Sequence, residues 1–292
     1  MKILVAIDSS ASSATVLDEV KSRSWPEDSQ IQLLNVADTT GIISVKGDLQ
    51  QFMRAQVEAA LSMVRAAAER IAPSAQGISS LVIEGYPPQV IVEHAREWGA
   101  DFIFVGSHGH GALARFFLGS VASYVLRHAH CSVVIARPSD KAVAKKILFA
   151  TDGSDASLST ARSVAARKWP VDAEFEVLGV IEEIVPAIDP WYGGGVAIVQ
   201  IQEEAEKVVR EGVKSSQRIF LDAGLKATAA VVNGHPKAAI VNEVESWGAS
   251  LVIVGSHGQR GLTRLLMGSV SEAVAMHAPC SVEVIREQPL YG

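Results

Sequence analysis

The chain of 292 residues is long enough for two domains of ordinary size. Its hydrophobic share of 48% excludes an intrinsically disordered chain, and its net charge of −6 argues against a nucleic-acid partner, which requires clustered positive charge. No stretch approaches the ~18 apolar residues of a membrane-spanning helix, so we expect no membrane partner.

In the first half, short apolar runs alternate with helical patterns. The runs are rich in β-branched residues and apolar throughout, which is typical of parallel strands covered on both faces. They lie at Ile3–Ile7, Ile31–Val36, Leu81–Ile83, Phe102–Val105 and Val133–Ala136. The helical patterns lie at Ser12–Ser22, Leu49–Ile71, Gln89–Trp98 and Ser120–His128. This alternation predicts an α/β fold, a doubly wound five-stranded parallel sheet with right-handed crossovers.

The second half repeats the first. Gly99–Gly109 reads GADFIFVGSHG and Gly248–Gly258 reads GASLVIVGSHG, an offset of 149 residues. Ile3–Asp8 matches Ile147–Asp152 with an offset of 144 residues, so the second copy holds five more residues in its middle. We expect these in the Pro/Gly-rich stretch from Pro186 to Gly195.

The repeat predicts two domains, residues 1–138 and residues 145–288, joined by a short polar connector. Cys131 and Cys280 occupy equivalent places in the two copies, and each opens an apolar run. Such lone cysteines are typical of core packing in a reducing compartment. The first apolar run stops at Asp8, too early for the apolar core of a signal peptide. We therefore expect a cytoplasmic protein.

A glycine spacing follows the fourth predicted strand of each copy, Gly-x2-Gly-x9-Gly-Ser. The strand delivers the chain to the carboxyl end of the sheet, where ligands bind, and Gly-Ser then opens a helix whose free amides attract phosphate. The residues are Gly106, Gly109, Gly119 and Ser120 in the first copy and Gly255, Gly258, Gly268 and Ser269 in the second. The glycines would also suit plain turns and the serines helix caps, but identical spacing in both copies favours a phosphate site.

With this spacing, both halves resemble the universal stress protein family across nearly the whole chain, as a tandem two-domain member of its ATP-binding branch. The resemblance implies an adenine nucleotide alpha hydrolase-like fold with strand order 3-2-1-4-5, and ATP with Mg²⁺ as the cofactor. It also implies frequent dimerisation through the last strand and further nucleotide contacts. Those contacts fall on Asp8, Val36 and Val121 in the first copy and on Asp152, Val180 and Val270 in the second.

The two aspartates end the first strands, across the predicted crevice from the glycine loops. A carboxylate there accepts ribose hydroxyls or helps to hold Mg²⁺. The other interpretation is an N-cap for the next helix, and the two roles are compatible. The second copy has the sequence common in the family, Asp152-Gly153-Ser154. The first has Asp8-Ser9-Ser10 and so lacks a glycine that allows close backbone approach. The valines alone would be core residues, and their role rests on the resemblance.

No residue is assigned a catalytic or metal-ligating role. Three histidines lie in or beside the loops, but no nucleophile or second base accompanies them at a recognisable spacing. Two matching arginines either reach the β- or γ-phosphate or lie on a solvated helix face. These five residues are His108, His110, His257, Arg115 and Arg264.

The main hypothesis is a non-enzymatic, ATP-binding stress-response regulator whose nucleotide occupancy modulates what it associates with. Two alternatives stay open: a slow ATPase or an enzyme that autophosphorylates Ser120 or Ser269, and a chaperone-like structural protein with incidental nucleotide. The expected partners are an adenine nucleotide and a second copy of the chain, in a homodimer. Fusion also lets the last strands, Val133–Ala136 and Val282–Ile285, pair within one chain.

Overall fold

The computed structural model describes residues 1–38, 49–72, 77–109, 118–138, 146–183, 195–256 and 267–286. The chain divides into two compact units, Met1–Val143 with Cys280–Gly292, and Ala144–Pro279. The predicted domain limits, 1–138 and 145–288, stay a prediction. Of the segment predicted to hold the insertion, only Gly195 lies within the described residues.

The first unit contains every element predicted for the first copy. Its strands are β1 (Lys2–Ala6), β2 (Gln30–Asp38), β3 (Gly77–Gly85), β4 (Phe102–Gly106) and β5 (Ser132–Ala136). Its helices are α1 (Ser12–Lys21), α2 (Leu49–Ile71), α3 (Pro87–Trp98) and α4 (Ser120–His128). The chain's last described strand, β10 (Ser281–Ile285), also belongs to this unit.

The second unit repeats the same succession. Its strands are β6 (Lys146–Thr151), β7 (Glu174–Ile181), β8 (Lys226–Asn233) and β9 (Leu251–Gly255). Its helices are α5 (Asp155–Ala165), α6 (Gly195–Asp222), α7 (Pro236–Trp247) and α8 (Ser269–His277). Strand order is β3-β2-β1-β4-β5-β10 in the first unit and β8-β7-β6-β9 in the second. The predicted fold class, two repeated doubly wound parallel sheets with the order 3-2-1-4-5, is confirmed.

The helix before the fourth strand has the same end signals in both units. Prolines occupy the first turn of α3 and α7, where their missing N–H costs nothing. Gly99 and Gly248 end these helices in the left-handed conformation, with φ of 73° and 71°. These signals fix where β4 and β9 begin, and therefore where their glycine loops emerge.

The last strands pair within the chain, as predicted. β10 runs antiparallel to β5, with Glu283 opposite Val134. The backbone amide of Arg137 donates to Ser281 Oγ, and that of Arg286 donates to Ser132 Oγ, both at 3.2 Å. β5 thus has β4 on one side and β10 on the other, so separate chains could associate through β5 only by replacing β10.

A buried ion-pair cluster fastens β10 to α1. Arg23 donates to Glu283 at 2.6 Å and to Glu19 at 2.9 Å, and Ser281 Oγ donates to Glu19 at 2.9 Å. The Glu283 side chain is fully buried. Burial lowers the pKa of Arg23, but the two carboxylates outweigh it, so the pKa is raised and the guanidinium stays charged.

One position pair differs chemically between the copies. Gln32 in β2 contacts His94 Nε2 in α3 at 2.5 Å. The equivalent residues, Glu176 in β7 and Glu243 in α7, bring two carboxyl groups into hydrogen-bonding contact. Burial first, and Glu243 second, raise the pKa of Glu176 to about 7, although Lys146 opposes the shift.

Replacing Arg23 with Met should lower the free energy of unfolding by roughly 3–5 kcal/mol, because the buried Glu283 carboxylate loses its cation. Adding Glu283→Val, which copies Val134, should recover most of the loss. Arg70→Met, which breaks the exposed Arg70–Asp18 pair, is the control and should cost under ~1 kcal/mol. Urea denaturation measures all three, and equal losses from the two single arginine variants would contradict the account.

The Glu176 carboxyl predicts a pH-dependent stability. Its contribution is fully present below the ordinary pKa of 4.5 and is lost as the pH rises through about 7, because the folded state favours the protonated form. Glu176→Gln, which copies Gln32, should therefore raise the melting temperature at alkaline pH and leave it nearly unchanged at acidic pH. Glu174→Gln, at the exposed first position of the same strand, is the control. An equal shift at both pH values would contradict this assignment.

Candidate functional site

The candidate site of the first unit lies at the carboxyl ends of β1 and β4. These strands pair in parallel, and β2 flanks β1 on its other side. The switch in strand order at this point opens the crevice in which α/β sheets bind ligands. Asp8 follows β1 and Gly109 follows β4, and a Cβ on Gly109 would lie 3.2 Å from Asp8 Oδ2. The structure therefore brings these two predicted site residues face to face.

A short turn holds the Asp8 carboxylate. Its Oδ1 accepts hydrogen bonds from the Ser10 amide at 3.0 Å, from Ser10 Oγ at 2.5 Å and from Ser13 Oγ at 3.0 Å. The buried side chain of Asn35 in β2 donates to the Ile7 carbonyl at 2.8 Å and so fixes the chain just after β1. The turn orients Oδ2 toward the glycine loop.

The second unit forms the same turn around Asp152. Its Oδ1 accepts from the Ser154 amide at 3.0 Å and from Ser154 Oγ at 2.6 Å. Ser154, not Asp152, caps α5, by accepting from the Ser157 amide at 3.2 Å. Ala11 stands at the N-cap of α1. The alternative interpretation of the aspartates as N-caps is therefore wrong, because each carboxylate is used in the turn before the helix.

The glycine in the second turn serves a helix contact. Gly153 has a φ of 80°, and a Cβ on it would lie 2.5 Å from the Val208 carbonyl of α6. A Cβ on Gly212 of α6 would lie 2.1 Å from the Gly153 Cα, so the backbones meet where neither residue has a side chain. No described non-glycine residue, Ser9 included, has a positive φ. The first copy therefore forms its turn without the glycine.

The loop glycines allow close packing around the loop itself. A Cβ on Gly106 would lie 2.5 Å from Ser12 Oγ, and a Cβ on Gly119 would lie 3.3 Å from the Ser107 carbonyl. The Gly119 amide donates to that carbonyl at 2.8 Å. Gly268 donates to the Ser256 carbonyl at the same distance in the second unit. In each unit a backbone hydrogen bond thus joins the first described residues after the strand to the residue that begins the next helix.

Those helices begin without a side-chain cap. Gly119 is the N-cap of α4 and Gly268 is the N-cap of α8, and glycine offers no side-chain acceptor. The first amides of an α-helix have no partner within the helix. They belong here to predicted site residues, Ser120 and Val121 in α4 and Ser269 and Val270 in α8. The positive end of each helix dipole lies at the same place.

The two valines lie farther along the sheet edge. Val36 is two positions beyond Leu34, the last residue of β2 with a partner in β1. Val180 is one position beyond Gly179, the last residue of β7 with a partner in β6. Both side chains are half-buried in strands. Their backbones therefore reach past the first strand, on the side of the crevice away from the glycine loop.

The His108 ring is engaged within its own loop. Its Nδ1 lies 3.0 Å from Ser107 Oγ, and its Nε2 is shielded from water. Gly258, predicted as a site residue, lies outside the described residues. The same holds for His110, Arg115, His257 and Arg264.

Two hydroxyl contacts to the loops were not predicted from the sequence. Ser12 Oγ donates to the His108 carbonyl, and Ser271 Oγ donates to the Gly255 carbonyl at 2.5 Å. The signal that could have revealed them is that serine and alanine change places between the two copies at these positions. Alanine stands at the position equivalent to each serine, Ala156 for Ser12 and Ala122 for Ser271.

The described residues contain neither a cluster of metal-binding side chains nor a membrane-spanning helix. Across the part of the chain that the structure describes, three or more His, Cys, Asp or Glu side chains nowhere gather closely enough to hold a metal ion. Within the same residues, none of the helices combines the length and apolar character of a membrane span. Cys131 and Cys280 are both buried and neither forms a disulfide, and burial raises the pKa of Cys131 to about 12, so this thiol stays protonated.

Comparison with known proteins gives a consistent result. The model of the Universal stress protein family matches residues 1–137 and 144–286. Universal stress protein Rv2005c of Mycobacterium tuberculosis is 33% identical over 218 residues, which are 72% of this chain and 69% of that protein. Universal stress protein Rv2623 of the same species is 31% identical over 245 residues, 82% of this chain and 77% of that protein.

Among solved structures, a universal stress protein from Archaeoglobus fulgidus covers 98% of this chain and 96% of its own length, with a TM-score of 0.65. A universal stress protein from Pseudomonas aeruginosa covers 98% and 93%, with a TM-score of 0.62. Their identities are 21% and 17%, so these likenesses concern the fold.

Proposed function

The chain belongs to the universal stress protein family, and we propose that each of its two repeats binds an adenine nucleotide at the carboxyl edge of its sheet. The observation that carries the proposal is the pair of uncapped helices, α4 and α8, each beginning at a glycine that is hydrogen-bonded back to its loop. In this proposal the phosphates lie against the amides of Ser120 and Val121, and of Ser269 and Val270. Amides at a helix start and the helix dipole both favour an anion.

The other predicted residues take complementary roles in the proposal. The Asp8 and Asp152 carboxylates accept ribose hydroxyls or share Mg²⁺ with the phosphate oxygens, since Mg²⁺ prefers oxygen ligands and uses few protein carboxylates. The turn around each Oδ1 supports this role, because it fixes the carboxylate before any ligand arrives. The backbones of Val36 and Val180 contact the adenine. Gly258 is the second glycine of the Gly-x2-Gly-x9-Gly-Ser spacing in the second repeat.

Binding, not turnover, is the proposed activity. The nucleotide acts as a ligand whose occupancy changes what the protein associates with during stress, in the cytoplasm, and self-association is one such response. In the described part of the first loop, His108 is engaged with Ser107, which supports a positioning role for this residue over proton transfer.

Calorimetric titration of the full chain with Mg-ATP tests the proposal. We expect two sites per chain, and one site after either Gly119→Asp or Gly268→Asp. The new carboxylate would cap the helix amides and repel phosphate, so affinity at that site should fall at least about tenfold, the effect of losing charged hydrogen bonds. Because aspartate is a good N-cap, the melting temperature should not fall.

Gly119→Asn and Gly268→Asn are the matched controls for side-chain size. They compete for the amides without a charge and should therefore weaken binding less than aspartate does. A wild-type chain that binds no Mg-ATP, or a Gly119→Asp plus Gly268→Asp variant that binds as tightly as wild type, would overturn the proposal.

A further inference from the structure

The glycine loop of the first repeat is held by a hydroxyl from α1. Ser12 Oγ donates to the carbonyl of His108, near the start of the loop. Ser12 Oγ also lies 2.8 Å from Ser10 Oγ, which donates to Asp8 Oδ1 at 2.5 Å. A chain of polar contacts therefore joins the carboxylate turn after β1 to the loop after β4.

The second repeat lacks this connection and has another. Ala156 stands in the place of Ser12 and has no hydroxyl. Instead, Ser271 of α8 donates to the carbonyl of Gly255, at the base of the loop. The residue equivalent to Ser271 in the first repeat is Ala122, in α4. Among the described residues, a serine hydroxyl thus contacts the start of each loop, from α1 in the first repeat and from α8 in the second. In the first repeat Ser123 of α4 also donates to the carbonyl of Leu118, near the end of the loop, at 3.4 Å.

Burial makes both contacts consequential. Ser271 is buried, so its hydroxyl needs a protein partner in place of water, and Ser12 is half-buried. Ala122 is buried as well, at the position where the second repeat has the Ser271 hydroxyl. At these two positions the first repeat therefore has serine and then alanine, whereas the second repeat has alanine and then serine.

We propose that Ser12 and Ser271 are positioning residues that hold the start of each glycine loop, at His108 and at Gly255, in its binding conformation, each for its own nucleotide site. This inference rests on the proposed nucleotide-binding function. A loop that is ordered before binding loses less entropy when the ligand arrives, so removing its tether weakens binding without touching the ligand. Because the two serines belong to different helices, a substitution of one serine should change the nucleotide affinity of its own site alone.

The test measures each site alone by calorimetry with Mg-ATP in the full chain. In a Gly268→Asp background, where only the first site binds, Ser12→Ala should weaken binding about three- to tenfold, the effect of one neutral hydrogen bond. Ser271→Ala should have no effect there. In a Gly119→Asp background the two results should reverse.

Variants that restore a hydroxyl distinguish the loss of the hydrogen bond to the loop from a general loss of packing. Ser12→Thr keeps the hydroxyl and should bind like wild type. Ser12→Ala with Ala122→Ser gives the first repeat the contact of the second and should recover most of the affinity. Ser22→Ala, at the far end of α1, is the control for altering a helix serine. Failure of the Ala122→Ser rescue, or equal weakening of both sites by Ser12→Ala, would overturn the inference.

A second readout needs no nucleotide. The Gly119 amide donates to the Ser107 carbonyl, and the Gly268 amide donates to the Ser256 carbonyl, so hydrogen exchange at these amides reports the order of each loop. Ser12→Ala should accelerate exchange at Gly119 only, and Ser271→Ala at Gly268 only. Unchanged exchange would refute the tethers themselves. Changed exchange in a protein that binds no nucleotide would confirm the tethers, but refute both the proposed function and their role in binding.

Discussion

Close backbone approach at the carboxyl ends of two adjacent strands is the constraint on which each repeat depends. In the first unit the loop after β4 folds against the start of α1, because Gly106 leaves room for Ser12, and against the start of α4, because Gly119 has no side chain. In the second unit Gly153 and Gly212 bring the turn after β6 against α6. A Cβ at Gly106, Gly153 or Gly212 would come closer than 3.0 Å to a neighbouring atom and would therefore separate elements that together form the candidate site.

The two repeats meet the same structural requirements with different residues. A Gln–His contact between the second strand and third helix becomes a pair of carboxyl groups, Glu176 with Glu243. Val134 in β5 faces Glu283 in β10, whose charge is compensated by Arg23. The serine that donates to the loop lies in α1 in the first repeat and in α8 in the second. Such differences leave the strand and helix order alike, so the described parts of the two candidate sites differ in the side chains that hold them.

Much of the fold could be predicted because its signals are local or repeated. The apolar runs predicted the strands, and the internal offset predicted two copies of one topology. The candidate site was harder, since side-chain partners depend on packing between distant segments. The N-cap interpretation of Asp8 and Asp152 was wrong because a serine-rich turn uses the carboxylate before the helix begins. The reason for Gly153 lies in α6, about 60 residues along the chain, and no local pattern reveals it.

The central claim is that the first amides of α4 and α8 receive the phosphates of a nucleotide. Hydrogen exchange on the full chain, with and without saturating Mg-ATP, tests it directly. The account predicts slower exchange at Ser120 and Val121 and at Ser269 and Val270 when nucleotide is present, with α3 and α7 unchanged. Exchange at the starts of α4 and α8 that nucleotide leaves unaltered would contradict the account.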